Sequence, residues 1–420
     1  MEARYRSTLW ACCFANFFQA VGSCFAILYV PLRGLYGLSF TDFGILVSLN
    51  FITQVASDVL FSKPVEKYGF RPFAVAAPLV SAAGLGLFAA APLLFPRRPF
   101  AGFCAGMFLF AAAGGLQELL LSPILDALPI PEERKARSMS MLHSFFAWGQ
   151  IFVVLATTGL LAVWGAARWQ WIVLLWAAPP VAGAVLFCRV PLARKNGGAP
   201  PLPLRALARK GVFYALLAAI VLGGAAEVTM AQWASAFLEK GLRLPKLAGD
   251  VWGVCFFSLM LALGRSGYAA LGARVPLHRL LIGGSGAAAV LYVVCALAQS
   301  PLLGGLACGL TGLCVSLLWP GAIILASRRI PSAGAAMFAL LSAGGDVGAS
   351  LGAFCVGRAA DWAQASGTVF AGAAGESGAL RAGLLLAAVF PLLCCGVHTA
   401  LHCSEARAGL PAGSERRHRQ

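Results

Sequence analysis

A few polar side chains stand inside runs that are otherwise apolar, and their types set the chemistry open to this chain. Glu118 sits in GLQELLLSPIL, and His143 and Gln150 open the next apolar run, SMLHSFFAWGQ. Glu227, Gln232 and Trp233 share GGAAEVTMAQWASAF. An ionisable residue in hydrocarbon is costly and normally faces a polar path or a partner. Glu118 and Glu227 are groups that can take up and release a proton. His143 can do the same, bond a polar ligand, or pair with Glu118. Gln150 follows His143 by two helical turns on one face, with Ser144 and Trp148 flanking that path. An aromatic ring beside amides and an acid suits a sugar, the ring covering its apolar face while the polar groups bond hydroxyls. Trp233 reads equally well as a lipid-interface anchor. Asn16 and Gln19 in the first apolar run, and Asn50 and Gln54 in the second, either line a cavity or bond neighbouring helices.

The elements that position these residues follow from composition. The 420 residues are 60% apolar and 11% charged, with a mean hydropathy of +0.81. Soluble proteins carry roughly 25% charged residues. Apolar runs repeatedly reach the ~20 residues that cross a bilayer. The chain is therefore expected to be an all-α polytopic membrane protein with twelve transmembrane helices, about 8–31, 41–62, 73–95, 101–125, 138–163, 169–189, 211–238, 248–271, 279–298, 302–326, 333–356 and 381–402. The first run is too long for a cleavable leader and lacks a small-residue cleavage site. With the N-terminus inside, most of the 32 lysines and arginines fall on cytoplasmic segments, which puts both termini in the cytoplasm. The net charge of +16 is assigned to topology and to anionic lipid head groups. Nucleic-acid binding is a poor competitor, because the basic residues are spread over many loops. The 13 cysteines lie mostly in the apolar runs and read as small packing residues. No metal site is expected.

One polar stretch, ARKNGGAPPLPLRALARKG, divides the chain. The expected organisation is an N-terminal six-helix bundle (1–190), a cytoplasmic linker (191–210), a C-terminal six-helix bundle (211–403) and a cytoplasmic tail (404–420). Gly115-Leu116 with Leu119-Leu120-Leu121-Ser122-Pro123 parallels Gly312-Leu313 with Ser316-Leu317-Leu318-Trp319-Pro320 at the fourth run of each half. Two related bundles imply a pseudo-two-fold axis along the membrane normal and a substrate site near the midplane.

The loop Glu66-Lys67-Tyr68-Gly69-Phe70-Arg71 resembles the acid-base-x-Gly-x-base loop of the major facilitator superfamily. The resemblance implies a tight turn at Gly69 and charges that hold cytoplasmic helix ends together. Gly264-Arg265, followed by Arg274 and Arg279, is a looser echo in the second half. Gating roles are expected for Glu66, Lys67, Gly69, Arg71, Asp126, Arg265 and Asp346. Asp126 could pair with Lys67 or Arg71 as a gate lock, and Asp346, among small residues in SAGGDVGAS, either caps or pairs structurally, Arg265 being one candidate partner.

Within that superfamily the chain resembles the fucose permease type of sugar:proton symporter. Glu118 and Pro123 keep that family's spacing, with Ser122 in place of its Asn. His143 in Leu142-His143-Ser144-Phe145 stands where the family has a sugar-contacting Gln. Gly224-Ala225-Ala226-Glu227-Val228 looks like an element of its glucose and galactose members. One departure matters: the first span holds Asn16 and Gln19 but no acid. Proton coupling then rests on Glu118, with Glu227 or His143. The resemblance implies import of a sugar-like solute with protons, no cofactor, lipid as surroundings and a monomer in the cytoplasmic membrane. Expected substrate contacts are Asn16, Gln19, His143, Gln150, Gln232 and Trp233. Two alternatives stand beside this reading, an efflux antiporter of the same fold and a non-transporting membrane sensor. The fifth run lacks the Gly-Pro-x-x-Gly-Gly of exporters. No Gly-x-Ser-x-Gly, His-Glu-x-x-His or P-loop motif supports an enzyme or direct ATP coupling.

Overall fold

The computed structural model describes residues 3–128, 132–192, 207, 209–271, 276–330 and 334–407. Among these the chain is helical, and its one β-type pairing is an isolated bridge between Phe370 and Ala373. Twelve helices are long and apolar enough to cross a membrane. They are α1 (Tyr5–Tyr36), α6 (Ala166–Arg189), α7 (Gly211–Gly241), α8 (Lys246–Tyr268), α10 (Pro301–Ala326) and α12 (Gly375–Ser404), with α2 (Phe40–Tyr68), α3 (Phe70–Leu94), α4 (Pro99–Asp126), α5 (Glu132–Trp164), α9 (Leu277–Leu297) and α11 (Gly334–Ala365). Several run past the apolar stretches that announced them. α12 opens at Gly375 with Glu376 in its first turn, where an acid suits the positive end of the helix dipole but carries no hydropathy signal.

Local sequence explains the helix ends. Ser39 and Asp42 form a reciprocal cap at the start of α2: Asp42 N–H donates to Ser39 Oγ at 3.0 Å and Ser39 N–H donates to Asp42 Oδ2 at 2.8 Å. Each satisfies a donor that the first turn leaves orphaned. Pro99 and Pro301 occupy the first positions of α4 and α10, where a missing N–H costs nothing. Gly69 ends α2 and begins α3 at φ +80°, a left-handed conformation that side chains resist.

The chain divides into two compact units, Met1–Ala199 and Pro200–Gln420. In the first, α3 and α4 lie in such close contact that a Cβ at Gly84 would fall 2.5 Å from the Phe110 nitrogen. Asn16 of α1 donates to the Leu142 carbonyl of α5 at 2.8 Å, and Gln117 of α4 donates to the Ala15 carbonyl at 2.9 Å. In the second unit, α7 and α11 approach with equal intimacy. A Cβ at Gly224 would meet the Gly345 carbonyl at 2.4 Å, and one at Gly348 would meet the Val221 carbonyl at 1.8 Å. Lipid supplies no hydrophobic drive between helices, so small residues that let backbones touch are the main packing resource. All thirteen cysteines are free.

Gly348→Ala should lower the melting temperature in detergent, by on the order of 1–3 kcal/mol of overpacking. Gly283→Ala in α9 is the control, because nothing lies within 4 Å of a Cβ there. Equal melting points for the two variants would show that the α7–α11 contact is looser than described.

Candidate functional site

The most completely built polar site belongs to the second unit, and it begins with a proline. Pro320 has no N–H to give the carbonyl four residues earlier, so Ser316 is left with an unbonded oxygen inside α10. The helix breaks there, between Pro301–Val315 and Leu318–Arg329. Arg265 of α8 takes that oxygen, its Nε donating to Ser316 O at 3.1 Å. The preceding glycine makes the approach feasible, since a Cβ at Gly264 would collide with Ser316 Oγ at 2.2 Å. The same guanidinium reaches the middle of α7. Its Nη2 donates to Glu227 Oε1 at 2.7 Å and to Oε2 at 3.0 Å. The Glu227 side chain is 12% exposed and that of Arg265 is 37% exposed. Nη1 makes no hydrogen bond with any described residue. Behind the pair, Tyr292 of α9 donates its hydroxyl to Ala226 O at 2.6 Å, which fixes the turn that carries Glu227.

A second polar locus belongs to the first unit. Glu118 is exposed on α4 and makes no ion pair with a described residue. It lies roughly two turns inside the apolar run that ends at Leu125. A carboxylate open at that depth must face a polar path and not lipid. One turn earlier, Gly115 packs on the backbone of Gln54 in α2, where a Cβ would sit 2.6 Å from Gln54 O. That contact brings Asp58, one turn further along α2, within electrostatic range of Glu118. Asp58 Oδ1, Asn50 Oδ1 and Gln19 Oε1 are buried with no hydrogen-bond partner among the described residues. These acceptors all seek a donor.

The loop between α2 and α3 serves another purpose. Arg71 donates from Nη1 to Phe187 O at 3.2 Å and Cys188 O at 2.7 Å, and from Nη2 to Val190 O at 2.9 Å. It caps the C-terminal end of α6, where orphan carbonyls and the helix dipole favour a cation. Lys67 is exposed and lies over the Tyr68 ring at 5.1 Å.

Several expectations change against this geometry. Arg265, within α8 as expected, is bonded to Glu227, where Asp346 had been one candidate partner. Asp346 is buried in α11 at 6% exposure. Asn16 has its amide committed to Leu142, which favours helix tethering over solute contact. Trp233 is fully buried at 0%, so it is neither a lipid-interface anchor nor open to a solute in this conformation. Gln19, Gln150 and Gln232 are partly open. The side chains of His143, Ser144, Glu66, Ser122 and Asp126 lie outside the described residues, and with them the expected pairings of His143 with Glu118 and of Asp126 with Lys67 or Arg71.

Two groupings escaped the sequence. Asn50, Gln54 and Asp58 recur every four residues, a stripe that could have drawn Asp58 toward Glu118. At the α7–α8 turn, the fully buried Asp250 accepts from Ser235 Oγ, and Lys246 Nζ joins them at 2.7 Å from Asp250 Oδ1 and 3.1 Å from Ser235 Oγ. The Lys-x-x-x-Asp spacing was its one local signal.

Comparison with known proteins follows from this geometry. A family model described as the Major Facilitator Superfamily matches residues 9–353. No curated protein matches the sequence. Among solved structures, a mutant form of the nucleoside transporter NupG is similar with a TM-score of 0.75 at 12% identity, over 94% of this chain and 99% of that one. A bacterial homologue of the human lysosomal transporter Spinster, inward-facing and occupied, gives 0.75 at 12%, over 97% and 98%. A mutant form of the E. coli fucose:proton symporter FucP gives 0.62 at 15%, over 94% and 99%. At these identities the likeness is one of fold.

Removing one partner of the Glu227–Arg265 pair leaves an uncompensated charge in a low-dielectric setting. Arg265→Gln and Glu227→Gln should each cost about 1–3 kcal/mol of stability, the lower figure reflecting the open guanidinium. The double variant should recover most of the loss, and melting in detergent across the double-mutant cycle measures it. Additive losses would show that the two side chains do not interact.

Proposed function

The chain belongs to the major facilitator superfamily, and we propose that it is a secondary transporter that moves a sugar or similar small polar solute by proton symport with alternating access. The observation that carries this reading is Glu118, an exposed carboxylate deep in the apolar run of α4 with no ion-pair partner among the described residues. A group so placed can cycle between charged and neutral only by exchanging a proton, which is what coupling requires. Glu227 is the second proposed coupling acid.

Solute contacts are proposed for Gln19, Gln150 and Gln232, whose side chains are partly open. The proposal extends to His143 on the resemblance alone. Lys67, Gly69 and Arg71, with Glu66 and Asp126, are proposed to fasten helix ends during the cycle, and Asp346 to serve the α7–α11 contact. Both termini are proposed to lie in the cytoplasm, as the Lys/Arg bias of the loops favours, and the chain in the cytoplasmic membrane. We propose that it works as a monomer. The fold shared with a fucose:proton symporter over 94% of this chain is compatible with the sugar reading.

The test is uptake by proteoliposomes under an inward proton gradient, with labelled hexoses, deoxyhexoses and nucleosides. Glu118→Gln should reduce gradient-driven accumulation by roughly 10-fold or more, the scale of losing a charge-assisted interaction. Solute exchange at equal concentration on both sides should persist. Gradient-dependent accumulation that survives Glu118→Gln would remove the residue from the coupling path.

A further inference from the structure

The free edge of Arg265 has no role in the ion pair. Nε and Nη2 are occupied by Ser316 O and Glu227, while Nη1 bonds no described residue and the side chain is 37% exposed. If the guanidinium served only to hold Glu227, sealing it away would be the cheaper arrangement, since an open cation in a span must be reached by water. The geometry instead resembles a half-filled receptor. A planar fork presents donors outward, one carboxylate already bound on its inner side.

We propose that the transported solute bears a single carboxylate, which binds the open Nη1 edge of Arg265 while Glu227 accepts a proton. This rests on the transporter reading above and narrows its solute from polar to monoanionic. The exchange balances. Before binding, Glu227 carries one negative charge and Arg265 one positive. After binding, Glu227 holds a proton on a carboxyl oxygen, and the solute carboxylate supplies the negative charge that Arg265 requires. One proton and one monoanion enter together and the site stays neutral in both states. A phosphate monoester carries about two charges at neutral pH and would leave the site net negative, so the carboxylate is the better fit. A neutral hydroxyl could accept from Nη1 but gives Glu227 no reason to release Nη2.

Other ionisable groups on helices against α7 are few among the described residues. Tyr292 of α9 has its hydroxyl on Ala226 O. Asp346 follows Gly345, which touches Gly224. On α12, Cys394 lies against Ala219 O, two turns from Glu227, and His398 is buried a turn beyond it. Arg265 is the one among these that bonds Glu227.

The experiment uses the full-length purified protein with three probes of shared scaffold: glucuronate, glucose and glucose 6-phosphate, each at pH 5.5 and pH 7.5. Thermal shift and titration calorimetry read binding. Glucuronate should bind best, and more tightly at pH 5.5. Arg265→Gln should weaken it by roughly 10-fold or more. Glu227→Gln, which mimics the protonated acid, should bind glucuronate with no pH dependence. The variant with both changes has no orphan charge to destabilise it, and should also lose glucuronate.

Binding of glucose as tight as that of glucuronate, and unchanged in Arg265→Gln, would overturn the inference while leaving a neutral-solute transporter standing. Stronger binding of glucose 6-phosphate than of glucuronate would overturn the assignment to a monocarboxylate. No response to any of the three would overturn it as well. The Glu118→Gln uptake assay then decides the transport reading separately.

Discussion

Hydrocarbon gives no water to a polar group, so each charge and each free carbonyl within these spans needs a partner from the chain or a polar path. Arginine meets that need repeatedly, because one planar group can serve several carbonyls. Arg71 closes the end of α6. Arg381, only 3% exposed, donates to Ala296 O at 3.1 Å and Ala298 O at 2.5 Å, at the end of α9. Arg329 donates to Leu401 O at 3.0 Å, near the end of α12. Each cation sits where the helix dipole is negative. Arg265 differs because its carbonyl is not at a helix end. Pro320 made one in the middle of a helix, and that freed oxygen helps anchor a cation beside Glu227.

Close packing makes such anchoring possible. Helices that share apolar surroundings with lipid gain their cohesion from contact and not from exclusion of water. Gly224, Gly345 and Gly348 bring α7 and α11 backbone to backbone, and Gly264 lets the Ser316 side chain of α10 pack against α8. These contacts fix the depth at which Glu227 and Arg265 meet. In the first unit, Gly115 against Gln54 sets Asp58 beside Glu118 in the same manner. A glycine-rich sequence therefore describes more than flexible loops. In these spans it records where charged side chains are brought into register.

The fold was legible in the sequence because its signal is local and repeated: apolar runs of sufficient length, one polar linker between two sets of six, and Gly69 at a turn. The site was legible only in its members. Glu118 and Glu227 stood out as acids in apolar runs. The partner of Glu227 did not, because Arg265 is thirty-eight residues away and its reach depends on a helix break in a third element. The sequence reading saw Pro320 only as half of a repeat with Pro123, and Gly264-Arg265 only as an echo of a loop. Asn16 misled for a related reason. An amide in a span satisfies a carbonyl on another helix as readily as a solute, and only the Leu142 contact decides which.

The two carboxylates now carry different physical burdens. Glu118 faces a polar path with Asp58 for company and no described cation, so its charge can be relieved only by a proton or by a ligand that brings a donor. Glu227 is already relieved by Arg265 and gains a need for a proton only when that guanidinium is drawn elsewhere. Protonation at Glu118 is thus set by what the path contains, and protonation at Glu227 by what Arg265 holds. A transporter needs both kinds of dependence, one that senses the proton supply and one that senses the solute. The sequence parallel between the fourth spans of the two halves conceals this division. The halves share a helix pattern ending in Pro123 and Pro320, yet among the described residues it is the second proline whose freed carbonyl binds a cation.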